Sequence, residues 1–141
     1  MIIYYTDGSC SPNPGPGGFA VIKDMKPHIL GAKTSGNITT NIRMEGYAII
    51  AALKDASGQP CKIHTDSELW IKIITEWSNK WRANGWQKKG GIKNIDIVKE
   101  VCELYLTSKA ELIWVLGHNS DPGNELADKY ANIAREQQLN Y

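Results

Sequence analysis

The spacing of apolar and polar residues in the first part of the chain predicts three strands followed by a helix. Residues 1–6 are almost all apolar, which is typical of a strand buried on both faces. Residues 19–22 and 30–38 indicate two more strands, and a turn at 26–27 makes the three an antiparallel meander. A helix opened by an asparagine is then expected over residues 41–58.

The rest of the chain predicts two strands and three helices. The strands are expected at 61–65 and 112–116, the second of them buried. The helices are expected after Ser67, at 95–108 and after residues 121–124. Apolar residues at helical spacing in the first of these helices indicate a stripe that faces the core: Trp70, Ile73, Ile74, Trp77 and Trp81. The order of elements predicts a mixed α/β fold, in which helices pack on both faces of a five-stranded mixed sheet.

Length and composition are those of a single globular domain over residues 1–141, with 42% hydrophobic and 22% charged residues. No apolar run approaches the roughly 20 residues of a membrane span, and the N-terminus lacks the pattern of a signal peptide. We therefore expect a cytoplasmic protein with no membrane partner. Cys10, Cys61 and Cys102 are odd in number and far apart, so neither a disulfide framework nor a zinc site is indicated.

The formal net charge of +1 neither favours nor excludes a nucleic-acid partner, but the charges are unevenly distributed. Between residues 72 and 99, lysines and arginines outnumber the acidic residues, and three tryptophans lie among them. A basic segment that also carries aromatic side chains is typical of nucleic-acid binding.

Three acidic residues stand where a purely structural role is costly. Asp7 ends the first predicted strand, Asp66 ends the fourth, and Glu45 lies on the apolar side of its predicted helix. An unpaired carboxylate facing a core costs several kcal/mol. Asp7 before a hairpin turn and Asp66 as a helix cap remain alternatives, whereas Glu45 has no cation three or four residues away. Helical periodicity places Asp128 on a polar surface.

Carboxylates at strand ends and on an inward helix face suggest a hard divalent cation with oxygen ligands. Two such ions about 3.5–4 Å apart can clamp the attacking and leaving oxygens in phosphodiester cleavage. The glycine-rich segment after Asp7 has neither the P-loop nor the dinucleotide-binding pattern, and no serine or cysteine nucleophile motif is present.

Five segments of the chain, in order, resemble type 1 ribonuclease H, the bacterial single-domain form, over almost the whole length. They are YTDGSCSPNPGPGG, TTNIRMEGYAIIAAL, IHTDSELW, EWSNKWRANGWQKKGGIKNID and WVLGHNSDPGNELADKYA. The resemblance implies the ribonuclease H-like fold and an endoribonuclease that hydrolyses the RNA strand of RNA–DNA hybrids. The implied cofactor is Mg²⁺, two ions per site with Mn²⁺ as the alternative, and the products carry 5′-phosphate and 3′-hydroxyl ends.

The resemblance also implies roles for individual residues. The catalytic acids, all four of them metal ligands, would be Asp7, Glu45, Asp66 and Asp128. His118 matches a mobile histidine that assists proton transfer or product release. His28 and His64 have no such context and are interpreted as structural.

Substrate-binding residues carried over by motif fall into three groups. Sugars and bases in the shallow groove would be contacted by Asn13, Asn41 and Glu68. The DNA strand would be held by Trp77, Trp81, Trp86, Lys88 and Lys89, with Trp86 the better candidate because it lies beyond the periodic stretch. A pocket for a DNA phosphate would be formed by Thr40 and Asn94.

Several departures from the family pattern concern substrate binding. Glu68 replaces a glutamine, and Ile38 and Ile42 stand where polar or basic residues are common. In the basic segment from Trp77 to Lys93, Gly90-Gly91 replaces a more basic stretch. We therefore expect modest affinity for the hybrid. None of these changes removes a catalytic group.

Two other functions remain as alternatives. A DNA-cutting nuclease of the same fold would share the acidic residues, but the hybrid-binding segment and Asn13 with Asn41 count against it. An inactive nucleic-acid-binding module would not need all four acids. We expect a monomer that acts distributively on RNA–DNA hybrids, because no separate hybrid-binding domain is evident.

Overall fold

The computed structural model describes residues 1–32, 38–117 and 121–139. A five-stranded sheet crosses its centre. The strands are β1 (Ile2–Cys10), β2 (Gly17–Lys23), β3 (Lys26–Gly31), β4 (Cys61–Thr65) and β5 (Ala110–Trp114). Their order is β3-β2-β1-β4-β5. β1, β2 and β3 are antiparallel neighbours, whereas β1, β4 and β5 run parallel, which confirms the predicted mixed sheet.

Helices cover both faces of this sheet. They are α1 (Asn41–Ala56), α2 (Glu68–Lys72), α3 (Ser78–Ala83), α4 (Ile95–Leu106) and α5 (Pro122–Gln137), and a π-helical segment (Ile73–Trp77) joins α2 to α3. A Cβ at Gly8 of β1 would overlap Met44 and Glu45 of α1, whereas one at Gly18 of β2 would overlap α5. Gly18 pairs with Ser9, the neighbour of Gly8, so α1 and α5 lie on opposite faces. None of the helices in the described ranges is long and apolar enough to cross a bilayer.

The meander differs from the prediction at its boundaries. β1 continues beyond residue 6 because residues 8–10 pair with 17–19, so Asp7 lies inside the strand. The turn between β2 and β3 is at Asp24-Met25, both with positive φ, and residues 26–27 belong to β3. A proline is tolerated there because β3 is an edge strand. The predicted continuation to Ile38 falls partly on residues 33–37, outside the described residues.

The other edge strand was also predicted inaccurately. β5 lies at Ala110–Trp114 rather than 112–116, and it is only partly buried. Trp114 is 49% exposed, and β5 is an edge strand of the described sheet. A run of apolar residues therefore indicated a strand correctly without indicating how deeply it is buried.

The main core lies between the sheet and α1, α2 and α4. Trp70 is fully buried there and donates its indole N–H to the carbonyl of Ile42 at 2.8 Å. Gly46 makes this packing feasible, since a Cβ on Gly46 would overlap the Trp70 ring and the Ile97 side chain. The glycine that weakens α1 as a helix former thus lets Trp70 and α4 approach its backbone closely.

α2, the π-helical segment and α3 form one helical stretch, here called the tryptophan helix. The π-helical segment changes which of its residues face the core. Trp70, Ile73 and Ile74 are buried as predicted, but Trp77 is 40% exposed and Ser78 is fully buried. A π turn contains one extra residue, so the inward-facing position moves from 77 to 78. The prediction of a core role for Trp77 was wrong for this reason, and its indole lies at the surface.

A polar network ties α1 to the first three strands at the end remote from Asp7. Asp55 accepts hydrogen bonds from the Tyr4 hydroxyl at 2.6 Å and from Lys23 at 3.0 Å, and its other oxygen lies 2.8 Å from His28 Nε2. Partial burial alone would raise the pKa of Asp55, but these three partners lower it to about 2. His28 therefore has a structural partner, as does His64, whose Nδ1 lies 3.0 Å from the Tyr4 carbonyl.

We expect Asp55→Asn to lower the free energy of unfolding by about 1–2 kcal/mol near neutral pH. The folded pKa lies below the unfolded one, so this stability is present above pH about 4 and is lost as pH falls towards 2. Denaturant unfolding across this range, with Glu103→Gln as a control on an exposed carboxylate, measures the effect. A constant difference between Asp55→Asn and wild type at all pH values would contradict the assignment.

Candidate active site

Asp7 and Asp66 are brought together by the parallel pairing of β1 and β4. Tyr4 pairs with Ile63 and Tyr5 with His64. Two residues further along the same register, Asp7 lies level with Asp66, directly after β4. Asp66 does not cap α2, because the Ser67 hydroxyl accepts the Trp70 N–H at 3.2 Å. Ser67 was predicted as this cap.

Glu45 reaches the same place from α1, because the helix passes directly over Gly8. An added Cβ at Gly8 would overlap the backbone at Met44 and Glu45. The absence of a side chain next to Asp7 therefore allows the helix to bring Glu45 beside it. The predicted inward orientation of Glu45 is confirmed, since Ala48 and Ile49 on the same side of α1 are fully buried.

The three carboxylates form one cluster, with an oxygen from each of Asp7, Glu45 and Asp66 within 4.8 Å of the others. Burial, and then the charges of Asp66 and Glu45, raise the pKa of Asp7 well above its usual range, against a hydrogen bond from the Gly8 N–H. Burial and Asp66 raise the pKa of Glu45 to about 7, which a hydrogen bond to Ser67 only partly offsets. The cluster is therefore costly when fully ionised.

The fourth acid is positioned by the way α5 lies along β1. Gly123, in the first turn of α5, packs against the Tyr5 ring so closely that a Cβ would overlap it. Further along, the Ser9 hydroxyl donates to Asn132 Oδ1 at 2.6 Å. Four residues of strand and nine residues of helix both span about 13 Å, so the two contacts hold the helix and the strand in register.

Asp7 and Asp128 lie near the middle of these matched segments. Asp7 shares a strand face with the two β1 contacts, and Asp128 precedes Asn132 by one helical turn. Asp128 is half-buried and adds to the raised pKa of Asp7, so its charge acts at the cluster. The surface position suggested by helical periodicity was wrong, because periodicity does not show which element covers the polar side.

The donor chemistry of this cluster fits a hard divalent cation. All ligand atoms are carboxylate oxygens, the type that Mg²⁺ and Mn²⁺ prefer. Within the described residues neither Asp7 nor Glu45 forms an ion pair with a lysine or arginine. A cation bound at the cluster would therefore supply a compensating charge that Asp7 and Glu45 lack among the described residues.

Each predicted shallow-groove residue lies close along the chain to one of these acids. Asn13 is exposed in the loop after β1, and its Oδ1 accepts the backbone N–H of Asn41 at 3.3 Å. Glu68 is exposed two residues after Asp66 and lies 3.4 Å from Lys72. The structure thus brings Asn13 and Asn41 together and leaves the Glu68 carboxylate at the surface.

The two residues of the predicted phosphate pocket share a neighbour. Thr40, rather than Asn41, is the N-cap of α1, and its hydroxyl accepts the backbone N–H of Arg43 at 3.2 Å. Asn94 precedes α4 in the left-handed region, and its Oδ1 accepts from the Arg43 guanidinium at 3.2 Å. Sequence reasoning did not single out Arg43, because helical periodicity places it on the side of α1 away from Glu45.

A groove of about 540 Å³ lies beside the tryptophan helix, and Trp77, Trp81, Lys88 and Lys89 contribute to its walls. The ring centroids of Trp77 and Trp81 are 6.2 Å apart, and Lys88 Nζ lies 5.8 Å from the Trp81 ring. Four of the five residues predicted to hold the DNA strand therefore share one surface.

Trp86 is the exception. It is half-buried against the core and does not line the groove. Its ring has the cations of Arg82 and Lys99 each 5.8 Å away. The preference for Trp86 as a substrate contact is not supported by this packing, because the residue beyond the periodic stretch folds back on α3. His118 lies outside the described residues.

The chain is similar to ribonucleases H in sequence and in structure. The RNase H family model matches residues 1–136. A Ribonuclease H of Polaromonas sp. is 42% identical, with 99% of this chain and 91% of that protein aligned. One of Albidiferax ferrireducens is 44% identical over 96% of this chain and 94% of its own length. The crystal structure of LC9-RNase H1, a type 1 RNase H with the type 2 active-site motif, matches with a TM-score of 0.84 and 25% identity, covering 98% of this chain and 73% of that one.

We expect Glu45→Gln to stabilise the metal-free protein above neutral pH by about 1–3 kcal/mol. The folded pKa is about 7 against a usual 4.5, so the folded state holds the proton more tightly. Wild-type stability therefore falls as pH rises from about 4.5 to about 7, and the substitution removes that fall. Denaturant unfolding in EDTA, with exposed Glu111→Gln as the matched control, measures it. If the free energy of unfolding had the same pH dependence in wild type and Glu45→Gln, an ionised Glu45 would not destabilise the folded protein and the prediction would be wrong.

Proposed function

The chain belongs to the ribonuclease H family and hydrolyses the RNA strand of RNA–DNA hybrids, and we propose that four acidic residues hold the divalent ions for this reaction. These residues are Asp7, Glu45, Asp66 and Asp128. The observation that carries the proposal is the convergence of three of their carboxylates within 4.8 Å, next to the fourth. The proposed catalytic domain is the whole chain, residues 1–141.

When bound, two Mg²⁺ ions, or Mn²⁺ as the alternative, supply an activated water and charge stabilisation for the leaving 3′-oxygen, giving 5′-phosphate and 3′-hydroxyl ends. The chain's own contribution is to hold the ligand oxygens in place before binding. Of the four proposed ligands Asp7 is the most deeply buried, Glu45 and Asp66 lie beside it, and Asp128 comes from α5. Because two of these groups have raised pKa values, acidic pH favours protons over cations at the site.

Selectivity requires contacts beyond the acids, since these alone would act on any phosphodiester that reached them. On one side, Asn13, Asn41 and Glu68 are proposed to contact sugars and bases where 2′-hydroxyls are displayed. On the other side, Thr40 and Asn94 are proposed to bind a phosphate of the DNA strand. At the start of α1, Asn41 contacts Asn13 and Arg43 contacts Asn94, and these two contacts support this division.

The groove residues extend the proposed DNA-strand surface. Lysine side chains compensate backbone phosphates, and the exposed Trp77 indole offers an apolar face to the sugar-phosphate chain. We assign this role to Trp77, Trp81, Lys88 and Lys89 and withdraw it from Trp86. All proposed groups come from one chain, so we propose that the protein acts as a monomer. The three cysteines are free and buried, which suits the reducing cytoplasm that we propose as its location.

A gel assay with labelled RNA–DNA hybrid, double-stranded RNA and double-stranded DNA tests the function directly. We expect Mg²⁺-dependent cleavage of the RNA strand of the hybrid alone, and none in EDTA. Cleavage of double-stranded DNA would support the alternative nuclease of the same fold. Binding of the hybrid without cleavage would support an inactive binding module.

Asp66→Asn is expected to abolish turnover while hybrid binding persists, because the change removes a ligand charge and keeps the side-chain shape. Activity by gel assay and hybrid binding by fluorescence anisotropy separate the two effects. Asp24→Asn, an exposed aspartate in the turn between β2 and β3, is the matched control. Retention of more than a few per cent of Mg²⁺-dependent activity would count against the four-acid site.

His118→Ala is expected to lower kcat by about 10–10⁴-fold, the upper range being typical of general acid–base groups. The proposal comes from the family motif in which His118 stands. Because the proposed role is in proton transfer or product release and not in substrate binding, KM should change little. Steady-state kinetics on a labelled hybrid give both constants. An unchanged kcat would leave His118 as an ordinary surface histidine.

A further inference from the structure

Arg43 connects the N-terminal ends of α1 and α4. Its guanidinium donates to Asn94 Oδ1 at 3.2 Å and to both carboxylate oxygens of Asp96, at 3.2 and 2.9 Å. It also lies 5.9 Å from the Tyr47 ring centroid, with a contact of 3.5 Å to the Tyr47 hydroxyl. The side chain is thus held on several sides in one orientation.

Asp96 compensates the charge of Arg43. The two groups form an ion pair, and the guanidinium lowers the pKa of Asp96. A paired guanidinium adds little net positive charge to a phosphate site. Any contribution of Arg43 to substrate binding therefore depends on where it holds its neighbours.

The first of these neighbours is Asn94. A guanidinium has only N–H donors, so the amide must turn its oxygen towards Arg43. The amide NH₂ group then points away from Arg43, and no acceptor for it is found among the described residues. An asparagine before a helix usually turns its oxygen to the helix N–H groups, but Asn94 makes no such bond.

The second neighbour is Thr40. Its hydroxyl oxygen accepts the backbone N–H of Arg43 as the α1 cap, which leaves the hydroxyl hydrogen available to donate. In the described part of the chain this hydrogen has no acceptor. Arg43 therefore occupies an acceptor position on both residues, through its backbone at Thr40 and its side chain at Asn94.

We propose that Arg43 is a positioning residue that leaves Thr40 and Asn94 facing the substrate as hydrogen-bond donors. A phosphodiester oxygen carries no hydrogen and accepts only, so this arrangement selects for a backbone phosphate. The inference rests on the proposed function, in which these two residues bind a phosphate of the DNA strand. It adds that an Asn94 amide free to turn its oxygen towards the phosphate would bind that phosphate poorly.

Arg43→Lys tests the inference, because lysine keeps the charge and the backbone cap at Thr40 but lacks the planar fork that bonds both Asp96 oxygens and fixes the direction of the bond to Asn94. We expect KM for the hybrid to rise about tenfold, as for loss of a hydrogen bond to a charged group, with kcat nearly unchanged. The salt dependence of binding should stay as in wild type. A wild-type KM in Arg43→Lys would overturn the proposal.

A double-mutant cycle with Asn94→Gly shows whether Arg43 acts through Asn94. Glycine suits the positive φ at this position, so the substitution removes the amide without backbone strain. We expect the double variant to bind no more weakly than Asn94→Gly alone. Additive losses would mean that Arg43 acts independently of Asn94 and would refute the positioning role.

Two further variants guard against a purely structural effect. Lys54→Gln removes the other ion pair between α1 and α4, Lys54 with Glu100 at 3.0 Å, and should leave KM unchanged. Asn94→Asp retains an acceptor for Arg43 but replaces the donor with a negative charge, so KM should rise more than tenfold. Wild-type affinity in Asn94→Asp would refute the donor role. Failure of the wild-type enzyme to cleave the hybrid would instead refute the proposed function.

Discussion

Burial of the acidic residues around Asp7, together with their mutual repulsion, is the constraint on which the arrangement of the elements depends. A cluster with raised pKa values would separate if its supports were flexible. Each support is a backbone feature: parallel pairing brings Asp66, and the bare face of Gly8 admits α1 with Glu45. The matched spans of α5 and β1 bring Asp128. The acidic cluster thus lowers the stability of the folded state, and the core in which Trp70 packs on Gly46 compensates for it.

The substrate surfaces depend on the same helices. The start of α1 carries Glu45 towards the other acids, Asn41 towards Asn13, and Arg43 towards α4. One helix therefore connects the proposed metal site, the proposed RNA-side contacts and the proposed DNA-side pocket. The π-helical segment adds the groove by turning Trp77 outward and Ser78 inward. A displacement of α1 is therefore expected to affect catalysis and strand recognition together.

Local patterns predicted most of the elements because each depends on neighbouring residues. The bounds of β4 and the Ser67 cap agree with the prediction, and α1 agrees within two residues, since alternation, capping and helical periodicity are properties of short segments. Errors arose where distant residues decide. β1 is lengthened by pairing with β2, and β5 is only partly buried at the edge of the described sheet.

The sequence by itself determined the fold class, through the order and periodicity of its elements, and the family, through motifs that each lie within a short segment. The four acids are proposed from the same motifs. Only the tertiary structure decided how those residues meet. A carboxylate's neighbours across the fold, such as Asp128 beside Asp7, depend on how α5 lies along β1. The role of Arg43 depends on α4, more than fifty residues away, and Trp77 faces outward because a π turn shifts the helix by one residue. Such relations are set by packing across the chain, which local spacing does not encode.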